Sequence, residues 1–375
     1  MKYYIFTYGC QMNESDSEKI VSLLQKQGHR PAKNEADADL IVLNCCSVRQ
    51  TAVHRVYDKI NKYTGKKKII LAGCVLEKDK NALKEKVSEI WHPDKYFHEE
   101  SLRGVPPGGT TKQSRQSISV HEIITLPPVA RNDKSVAYVP IMTGCNNFCS
   151  YCAVPYTRGR EKSRPASDII NDVKNLILKE YKDIMLLGQN VNSYKSEIRN
   201  PKSETNSKFK SSKTKTINFA KLLKAINDLP GNFRFTFMTS HPKDMSDELI
   251  KTMAKCKKLT KEIHLPVQSG DNTILRKMNR HYTTAQYKSL IKKIRKAIPG
   301  IKISTDIIVG FPGETKKQFQ NSIKTCKQIN FDGAYIAKYS PRPGTAASKL
   351  KDDIRIEEKK RRWKVLDKLI NKEYY

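Results

Sequence analysis

The chain has 375 residues, which is enough for two ordinary domains that each bury a core. Lys and Arg total 70 against 38 acidic residues, so the formal net charge is +32, and this excess favours a polyanionic partner such as nucleic acid. Lysines spread over solvated helix surfaces are the alternative explanation of the charge. The sequence shows no signal peptide and no apolar stretch of membrane-spanning length, which predicts a cytoplasmic protein.

Residues 1–100 alternate strand and helix patterns. Apolar runs at 2–8, 39–44 and 67–72 predict strands, and their nearly continuous hydrophobicity is typical of a parallel sheet covered on both faces. Ser15 and Glu18 have the spacing of a capping box, which predicts the start of the first helix. The sequence therefore predicts an N-terminal, doubly wound α/β domain.

A cysteine follows each of these three predicted strands: Cys10, Cys46 and Cys74. The carboxyl ends of parallel strands meet at one edge of a sheet, where ligands bind in open α/β folds, so we expect the three thiols to converge. Cysteines stay reduced in the cytosol, and a metal site is therefore a better interpretation than disulfides. Buried cysteine also serves as a small hydrophobic residue, but three equivalent positions favour metal binding.

A second region follows a linker. Residues 101–134 are predicted to be this linker, because they contain Pro-Pro-Gly-Gly and many small polar residues. Residues 135–350 alternate strand-like and helical runs, which predicts a partial (β/α)6 barrel with its active site at the carboxyl ends of the strands. The predicted strands are 136–142, 183–187, 233–239, 262–267, 302–309 and 333–339.

Two further segments are distinctive. Residues 195–216 are rich in Ser, Lys, Thr and Asn and interrupt the barrel pattern, so they are predicted to be a disordered surface insertion. Residues 351–375 are predicted to form a basic C-terminal helix.

The strongest chemical signal is the segment CNNFCSYC at 145–152, directly after the first predicted barrel strand. The thiolates of Cys145, Cys149 and Cys152 can hold one face of a metal cluster and leave a fourth position open, which is typical of reactive sites. Zinc with a distant fourth ligand is the alternative. Structural zinc sites use paired Cys-x-x-Cys units, however, and only one such unit is present here.

The Cys-x-x-x-Cys-x-x-Cys spacing resembles the signature of radical S-adenosylmethionine (SAM) enzymes. Other motifs, spread over nearly the whole chain, resemble the tRNA methylthiotransferases that act on isopentenyladenosine. They are YGCQMNE (8–14), NCCS (44–47), GCV (73–75), PYTRG (155–159), SRP (163–165), LGQNVN (187–192), TSHP (239–242), LPVQSG (265–270) and VGFPGET (309–315). The resemblance implies an N-terminal methylthiotransferase domain followed by a partial radical SAM barrel.

The family implies two [4Fe-4S] clusters and SAM as cofactors. One cluster would lie on Cys145, Cys149 and Cys152, where SAM chelates the open iron, and the other on Cys10, Cys46 and Cys74, where it carries sulfur. The reaction that the resemblance implies adds a methylthio group at C2 of the adenine beside the tRNA anticodon. A C–H bond of this kind is not acidic enough for a His or Glu base, so radical chemistry must come from a cofactor. The tRNA anticodon stem-loop and an electron donor such as flavodoxin or ferredoxin are the implied partners of a monomer.

The chain departs from the family pattern in two places. The family usually has Thr where this chain has Cys45. Successive side chains of an extended segment point to opposite sides, so only one of the two adjacent thiols should face the cluster, and the motif favours Cys46. The family also carries a C-terminal TRAM β-barrel that helps to bind tRNA, and it has no counterpart before Tyr375. The sequence is then either a fragment or a protein that holds tRNA by its basic surface alone.

Several polar residues complete the predicted site. Near the strand ends, Gln189, Gln268 and Asp306 are predicted SAM contacts. Tyr151 occupies the family's aromatic position before the third cysteine, where its backbone would meet the adenine of SAM. The loop after the cluster is basic and is predicted to contact RNA phosphates, with a merely solvated loop as the alternative. Its residues are Arg158, Arg160 and Arg164.

Other functions stay open at this stage. Sister methylthiotransferases act on threonylcarbamoyladenosine in tRNA or on a ribosomal-protein aspartate, and the segment QMN after Cys10 favours the isopentenyladenosine branch over both. A zinc-stabilised RNA-binding protein is the non-enzymatic alternative. Cys256 and Cys326 have no cysteine neighbours and are predicted to be packing residues.

Overall fold

The computed structural model describes residues 1–48, 50–97, 136–197 and 216–371. The predicted linker lies outside these ranges, as does most of the predicted insertion. Both described domains are α/β, as the sequence predicts. None of the helices in the described ranges is long and apolar enough to cross a membrane.

The N-terminal domain is built on a parallel sheet whose strand order is β2-β1-β3-β4-β5. Its strands are β1 (Lys2–Thr7), β2 (Arg30–Pro31), β3 (Leu40–Cys46), β4 (Lys68–Cys74) and β5 (Glu89–Trp91). The three predicted strands are confirmed, and the short edge strands β2 and β5 were missed. Pairing of β3 with β4 continues as far as Cys46 opposite Cys74, so these cysteines end their strands instead of following them.

Three helices cover this sheet: α1 (Gln11–Lys26), α2 (Gln50–Tyr63) and α3 (Glu77–Leu83). The central strands are buried on both faces and contribute to two separate apolar clusters. One cluster contains Ile20 and Leu24 of α1, and the other contains Val56 and Ile60 of α2. This arrangement confirms the doubly wound architecture.

Helix α1 begins earlier than the capping-box pattern predicts. Its N-cap is Cys10, whose side chain makes no cap hydrogen bond. Ser15 lies within the helix and is fully buried, so the predicted box at Ser15 and Glu18 is wrong. The earlier start places Cys10 at the end of the sheet, beside the ends of β3 and β4.

The second domain contains six parallel strands in chain order, and all six match predicted runs. They form two sheets, β12-β9-β6 and β13-β14-β15, and no closed barrel within the described ranges. Backbone hydrogen bonds from Phe235 to Lys258 and from Thr260 to Phe235 connect β12 to the segment that precedes β13. The strands are β6 (Val136–Pro140), β9 (Asp183–Leu187), β12 (Arg234–Phe237), β13 (Glu262–His264), β14 (Lys302–Val309) and β15 (Gly333–Lys338). The short strands β7 (Met142–Thr143) and β8 (Lys162–Ser163) pair antiparallel.

Helices pack around these strands and enclose the largest apolar core of the protein. They are α4 (Val154–Thr157), α5 (Ala166–Leu178), α6 (Phe219–Asn227), α7 (Asp247–Lys255), α8 (Asn272–Lys277), α9 (Thr284–Ala297), α10 (Lys316–Ile329) and α11 (Ile356–Ile370). Cys256 and Cys326 lie in this core, as predicted for packing residues.

The predicted C-terminal helix corresponds to α11, which packs against β15 and α10. Its basic residues have two different roles. Lys359 and Arg362 are buried and pair with Asp352 and Glu314, at 2.6 and 2.7 Å. Lys360, in contrast, is exposed. Part of the basic character of this helix therefore anchors it to the barrel and is not available to a partner.

The predicted insertion is ordered at both ends. Strand β10 (Lys195–Glu197) pairs antiparallel with β11 (Thr216–Asn218), with Glu197 opposite Thr216. Residues 195–197 and 216 therefore belong to a two-stranded hairpin, and the prediction of a disordered segment is wrong for them. Residues 198–215 lie outside the described ranges.

Replacing residues 198–215 by a two-residue Asn-Gly turn should leave the protein folded. Glu197 and Thr216 already face each other, and a turn of this type closes antiparallel strands. We expect the free energy of unfolding to change by less than about 1 kcal/mol, measured by thermal unfolding. Deleting all of 195–218 is the control, because it also removes the side chain of Asn218 that caps α6 and should cost at least about 1 kcal/mol more. Equal losses in the two variants would contradict the prediction.

Candidate functional site

The three N-terminal cysteines meet at the carboxyl edge of the first sheet. Cys46 and Cys74 are direct partners across β3 and β4, and both are buried. Cys10 follows Gly9, where an added Cβ would lie 2.9 Å from the Cβ of Cys46. Burial raises the pKa of the Cys74 thiol, and the nearby Cys10 raises it further, which shows that these two residues are neighbours. The three residues therefore lie close together at this edge of the sheet.

Cys45 lies on the opposite face of β3. Cys45 packs in the apolar cluster that contains Ile41 and Leu43. Leu40 and Val42 belong to the cluster on the other face of the sheet. Because side chains alternate between the two faces of a strand, Cys46 is on the same face as Leu40 and Val42. Burial raises the pKa of the Cys45 thiol well above its usual value. This placement supports Cys46 over Cys45 as the ligand.

Two asparagines hold the cysteine-bearing loops together. Asn13 donates through Nδ2 to Oδ1 of Asn44 at 2.9 Å and to the carbonyl oxygen of Cys45 at 3.0 Å. Asn44 donates in return to the carbonyl oxygen of Asn13 at 2.7 Å. Gly73 is required nearby, because its φ is +89° and a Cβ there would lie 2.4 Å from the carbonyl oxygen of Cys45. Both asparagines belong to the sequence motifs, which signalled the segments but not this role.

The second cysteine trio lies on the loop that follows β7. Gly144 begins this loop with φ +75°, and a Cβ there would lie 2.1 Å from the carbonyl oxygen of Arg160. The amide of Cys152 donates to the carbonyl of Cys149 at 2.9 Å, which closes a turn between these two cysteines. Burial raises the pKa of the Cys152 thiol to about 12, with a further contribution from Cys149. Metal binding must therefore displace protons from this loop.

Arg280 and Asn279 hold the cysteine loop against the barrel, and sequence reasoning missed both. Arg280 is buried, donates to Sγ of Cys149 at 3.4 Å and to the carbonyl of Pro266 at 3.0 Å. Asn279 donates to the carbonyl of Phe148 at 2.9 Å. A single arginine far from the motif along the chain carries no sequence signal, and only the fold brings it to the cysteines.

Both trios fit iron–sulfur clusters by their chemistry. Each consists of thiols alone, and thiolates are the ligands that hold such clusters. Among the described residues, no group of three His, Cys, Asp or Glu side chains is placed to hold a single metal ion. Arg158 also favours an anionic group at the N-terminal trio. Its Nη1 is buried without a hydrogen-bond partner in the described residues, and its Nε lies 2.9 Å from Sγ of Cys74.

The three arginines of the predicted RNA-binding loop have different surroundings. Arg158 is buried between Asp16 and Cys74, so its guanidinium faces protein groups and not solvent. Arg164 donates to the carbonyl of Pro140 and to Asp172. Arg160 is exposed and lies over the ring of Phe148, 4.3 Å from its centroid. Of the three, only Arg160 presents its charge to solvent, so the prediction of RNA contact does not suit Arg158 or Arg164 in this structure.

The predicted SAM contacts lie at or near the carboxyl ends of strands for Gln189 and Gln268, whereas Asp306 lies within β14. Gln189 follows β9, and Gln268 forms a bridge with Ile307 of β14. The Oε1 atoms of both glutamines are buried without hydrogen-bond partners in the described part of the chain. Asp306 lies in β14 and pairs with Nε2 of His264 at 3.2 Å. Tyr151 packs beside the cluster of Ile274, Met278 and Phe311.

Sequence comparisons match both domains. Residues 139–326 match the family model described as Radical SAM superfamily, and residues 2–92 match that of Uncharacterized protein family UPF0004. A curated tRNA-2-methylthio-N(6)-dimethylallyladenosine synthase from Clostridium novyi (strain NT) is 41% identical over 388 aligned residues, covering 99% of this chain and 81% of that protein. A protein of the same name from Finegoldia magna is 39% identical, covering 94% of this chain and 75% of its own.

Solved structures share the fold. The radical S-adenosylmethionine methyltransferase TsrM from Kitasatospora setae, with cobalamin and a [4Fe-4S] cluster bound, aligns with a TM-score of 0.57 at 12% identity, over 89% of this chain and 73% of that chain. The cobalamin-dependent radical enzyme OxsB aligns with a TM-score of 0.54 at 11% identity, over 92% and 54% of the two chains. These identities support a common fold and nothing more. The curated relatives show more, and the chain belongs to the tRNA methylthiotransferases of the radical SAM superfamily, alongside the tRNA-2-methylthio-N(6)-dimethylallyladenosine synthases.

Proposed function

We propose that this protein methylthiolates N6-isopentenyladenosine beside the tRNA anticodon, giving 2-methylthio-N6-isopentenyladenosine. The observation that carries the proposal is the pair of all-thiol trios, each at the carboxyl edge of a parallel sheet. One short helix, α4, separates Cys152 from Arg158, which contacts Cys74 of the other trio. The two sites therefore belong to one functional unit.

The trios divide the cofactors between the domains. Cys145, Cys149 and Cys152 would hold the [4Fe-4S] cluster that binds SAM, and Cys10, Cys46 and Cys74 would hold the second cluster. When bound, these groups supply the electron, the radical chemistry and the sulfur that the reaction needs. The protein shields most of these thiols from bulk water, because four of the six cysteines are less than one-tenth exposed. They are Cys46, Cys74, Cys145 and Cys149.

Polar groups at the strand ends suit SAM. A buried acceptor without a donor costs about 1–3 kcal/mol, so the Oε1 atoms of Gln189 and Gln268 favour a ligand with N–H or O–H groups. The amino group and ribose hydroxyls of SAM provide such donors. Asp306 pairs with His264 through Oδ1, and its side chain is about one-third exposed, so its carboxylate is accessible to a ligand. We place Tyr151 next to the adenine, with its backbone as the contact.

The tRNA anticodon stem-loop is the substrate that we propose, with Arg160 as the loop's contact to phosphate. Its guanidinium is exposed beside the cysteine loop, where an incoming nucleotide would pass. We further propose a cytoplasmic monomer that receives electrons from a donor such as flavodoxin or ferredoxin.

Binding of the stem-loop should weaken steeply as salt rises. With a net charge of +32, several phosphates are expected to be neutralised, and each contributes roughly 0.7–0.9 log units of affinity per log unit of salt. Fluorescence anisotropy over a range of salt concentrations measures this slope. Replacing Arg160 by Ala should reduce the slope by about one contact, whereas Lys296→Ala on the outer helix α9 should leave it unchanged. A salt-independent affinity would contradict the prediction.

Nucleoside mass spectrometry tests the reaction itself. Digested tRNA from cells with and without the gene should differ in 2-methylthio-N6-isopentenyladenosine and in no threonylcarbamoyl derivative. A change in the threonylcarbamoyl nucleoside, or in ribosomal-protein aspartate, would instead assign the chain to a sister specificity. Iron and sulfide analysis of anaerobically purified protein separates all of these enzymes from a zinc-stabilised RNA-binding protein.

A further inference from the structure

Arg158 connects the two domains at the N-terminal cysteine site. It lies just after α4 in the second domain, yet its contacts are in the first. Nε donates to Sγ of Cys74 at 2.9 Å, and Nη2 donates to Oδ2 of Asp16 on α1 at 2.5 Å. Both Arg158 and Asp16 are about 3% exposed or less, so water does not compete for these contacts.

The charged groups of Asp16 and Arg158 lie next to the sulfur of Cys74. The carboxylate of Asp16 pairs with the guanidinium of Arg158 and fixes its orientation. This ion pair also sets the direction of the other N–H donors of Arg158. One of them reaches Cys74, and Nη1 has no partner among the described residues. The guanidinium of Arg158 is therefore buried, held in place and left with one unused donor. Beside a cysteine that we propose as a cluster ligand, it can stabilise negative charge on the sulfur of that ligand and on the sulfurs of the cluster.

We propose that Arg158 is a positioning residue that raises the reduction potential of the N-terminal cluster, and that this cluster reaches its working potential only when the two domains are docked. The proposal rests on the proposed function, which assigns a cluster to Cys10, Cys46 and Cys74. A hydrogen bond to a ligating sulfur and a nearby positive charge both stabilise the more negative, reduced state. Because Arg158 belongs to the SAM-binding domain, the first domain alone lacks this contribution.

A second interdomain arginine, Arg342, makes a different set of hydrogen bonds. Arg342 donates to the carbonyl of Val48 at 2.7 Å and to Gln50 at 2.6 Å, both just beyond Cys46. Its donors are directed at oxygen atoms of the backbone and an amide. Arg342 lies close enough to Cys46 to interact with it electrostatically, but its hydrogen bonds hold the two domains together. Arg158 differs because its Nε donates to the sulfur of Cys74.

The test isolates the N-terminal cluster in the full-length chain. Cys145, Cys149 and Cys152 are all replaced by Ala, and the protein is reconstituted with iron and sulfide. Iron content is measured first, and the midpoint potential follows from a dithionite titration monitored by electron paramagnetic resonance. A parent protein that binds no iron would refute the assignment of the cluster, and thereby the proposed function, before Arg158 is tested.

Three substitutions then separate charge from packing. Arg158→Gln removes the charge and should lower the midpoint by at least a tenfold change in the one-electron equilibrium, about 59 mV. Arg158→Lys keeps the charge but not the fork of donors, and should give a smaller shift in the same direction. Asp16→Asn removes the opposing charge and should shift the potential upward. Opposite signs for Arg158→Gln and Asp16→Asn are not expected from a purely structural role.

The control is Lys162→Ala, which removes an exposed interdomain ion pair with Asp94 at 2.8 Å that touches no cysteine. Its midpoint should equal that of the parent. An unchanged midpoint in Arg158→Gln with a full complement of iron would overturn the proposal. If Arg158→Gln does not load iron, the midpoint potentials of Arg158→Lys and Asp16→Asn test the proposal instead. Midpoint shifts of the same sign in these two variants would also overturn the proposal.

Discussion

Replacing Cys145, Cys149 or Cys152 by Ala is expected to abolish both 5′-deoxyadenosine formation and methylthiolation of tRNA. These residues form the thiol trio on the loop after β7, and three thiolates are the minimum that holds a cluster with one open position. Loss of residues that merely support metal ligands already costs about 10–100-fold, so loss of a ligand should cost more than about 100-fold. Liquid chromatography of the nucleoside products measures both activities in one assay.

Cys326→Ala is the matched control for this series. Cys326 is buried in the barrel core without a polar role, and its loss should cost about 1 kcal/mol of unfolding free energy while both products persist. Formation of 5′-deoxyadenosine at the parental rate in a Cys149→Ala protein would show that the trio does not hold the SAM-binding cluster.

Replacing Cys10, Cys46 or Cys74 by Ala should separate the two activities. These variants are expected to bind about half the iron of the parent and still form 5′-deoxyadenosine with a strong reductant, because the other trio is intact. Methylthiolated tRNA should fall by more than about 100-fold, since the sulfur-bearing site is lost. Iron analysis and nucleoside mass spectrometry on the same samples give the two readouts.

Cys45→Ala is the control for these variants, because Cys45 is the direct neighbour of Cys46 in the sequence. Cys45 is adjacent to Cys46 but packs on the opposite face of β3, among apolar side chains. Its replacement should cost about 1 kcal/mol of stability and leave iron content and methylthiolation nearly unchanged. Loss of one cluster in Cys45→Ala, with Cys46→Ala fully active, would reverse the ligand assignment. Full methylthiolation in all three N-terminal variants would contradict the two-cluster mechanism.

The sequence by itself determined the fold class, because hydrophobic periodicity is local. Apolar runs marked every barrel strand and the three central strands of the first sheet. Cysteine spacing likewise marked the loop at 145–152, since its three cysteines lie within eight residues of one another. Short edge strands such as β2 and β5 were missed because two or three residues are too few to show an alternation of apolar and polar side chains.

Local rules failed where tertiary contacts outweighed them. Ser15 and Glu18 have the pattern of a helix start, but α1 begins at Gln11 and buries Ser15. The polar segment at 195–216 gave no strand signal, yet β10 and β11 pair at its ends and position Asn218 to cap α6. In each case the free energy comes from partners that are distant along the chain.

Only the tertiary structure decided what the arginines do. As sequence, Arg158, Arg160 and Arg164 form one basic loop, but folding buries Arg158 against Cys74 and leaves Arg160 in solvent. Arg280 reaches Cys149 across 131 positions of chain. The charge of a side chain is set by its chemistry, whereas the group that it faces depends on how strands and domains pack. Sequence therefore identified the cysteines that we propose as cluster ligands, and the fold alone showed which cations surround them.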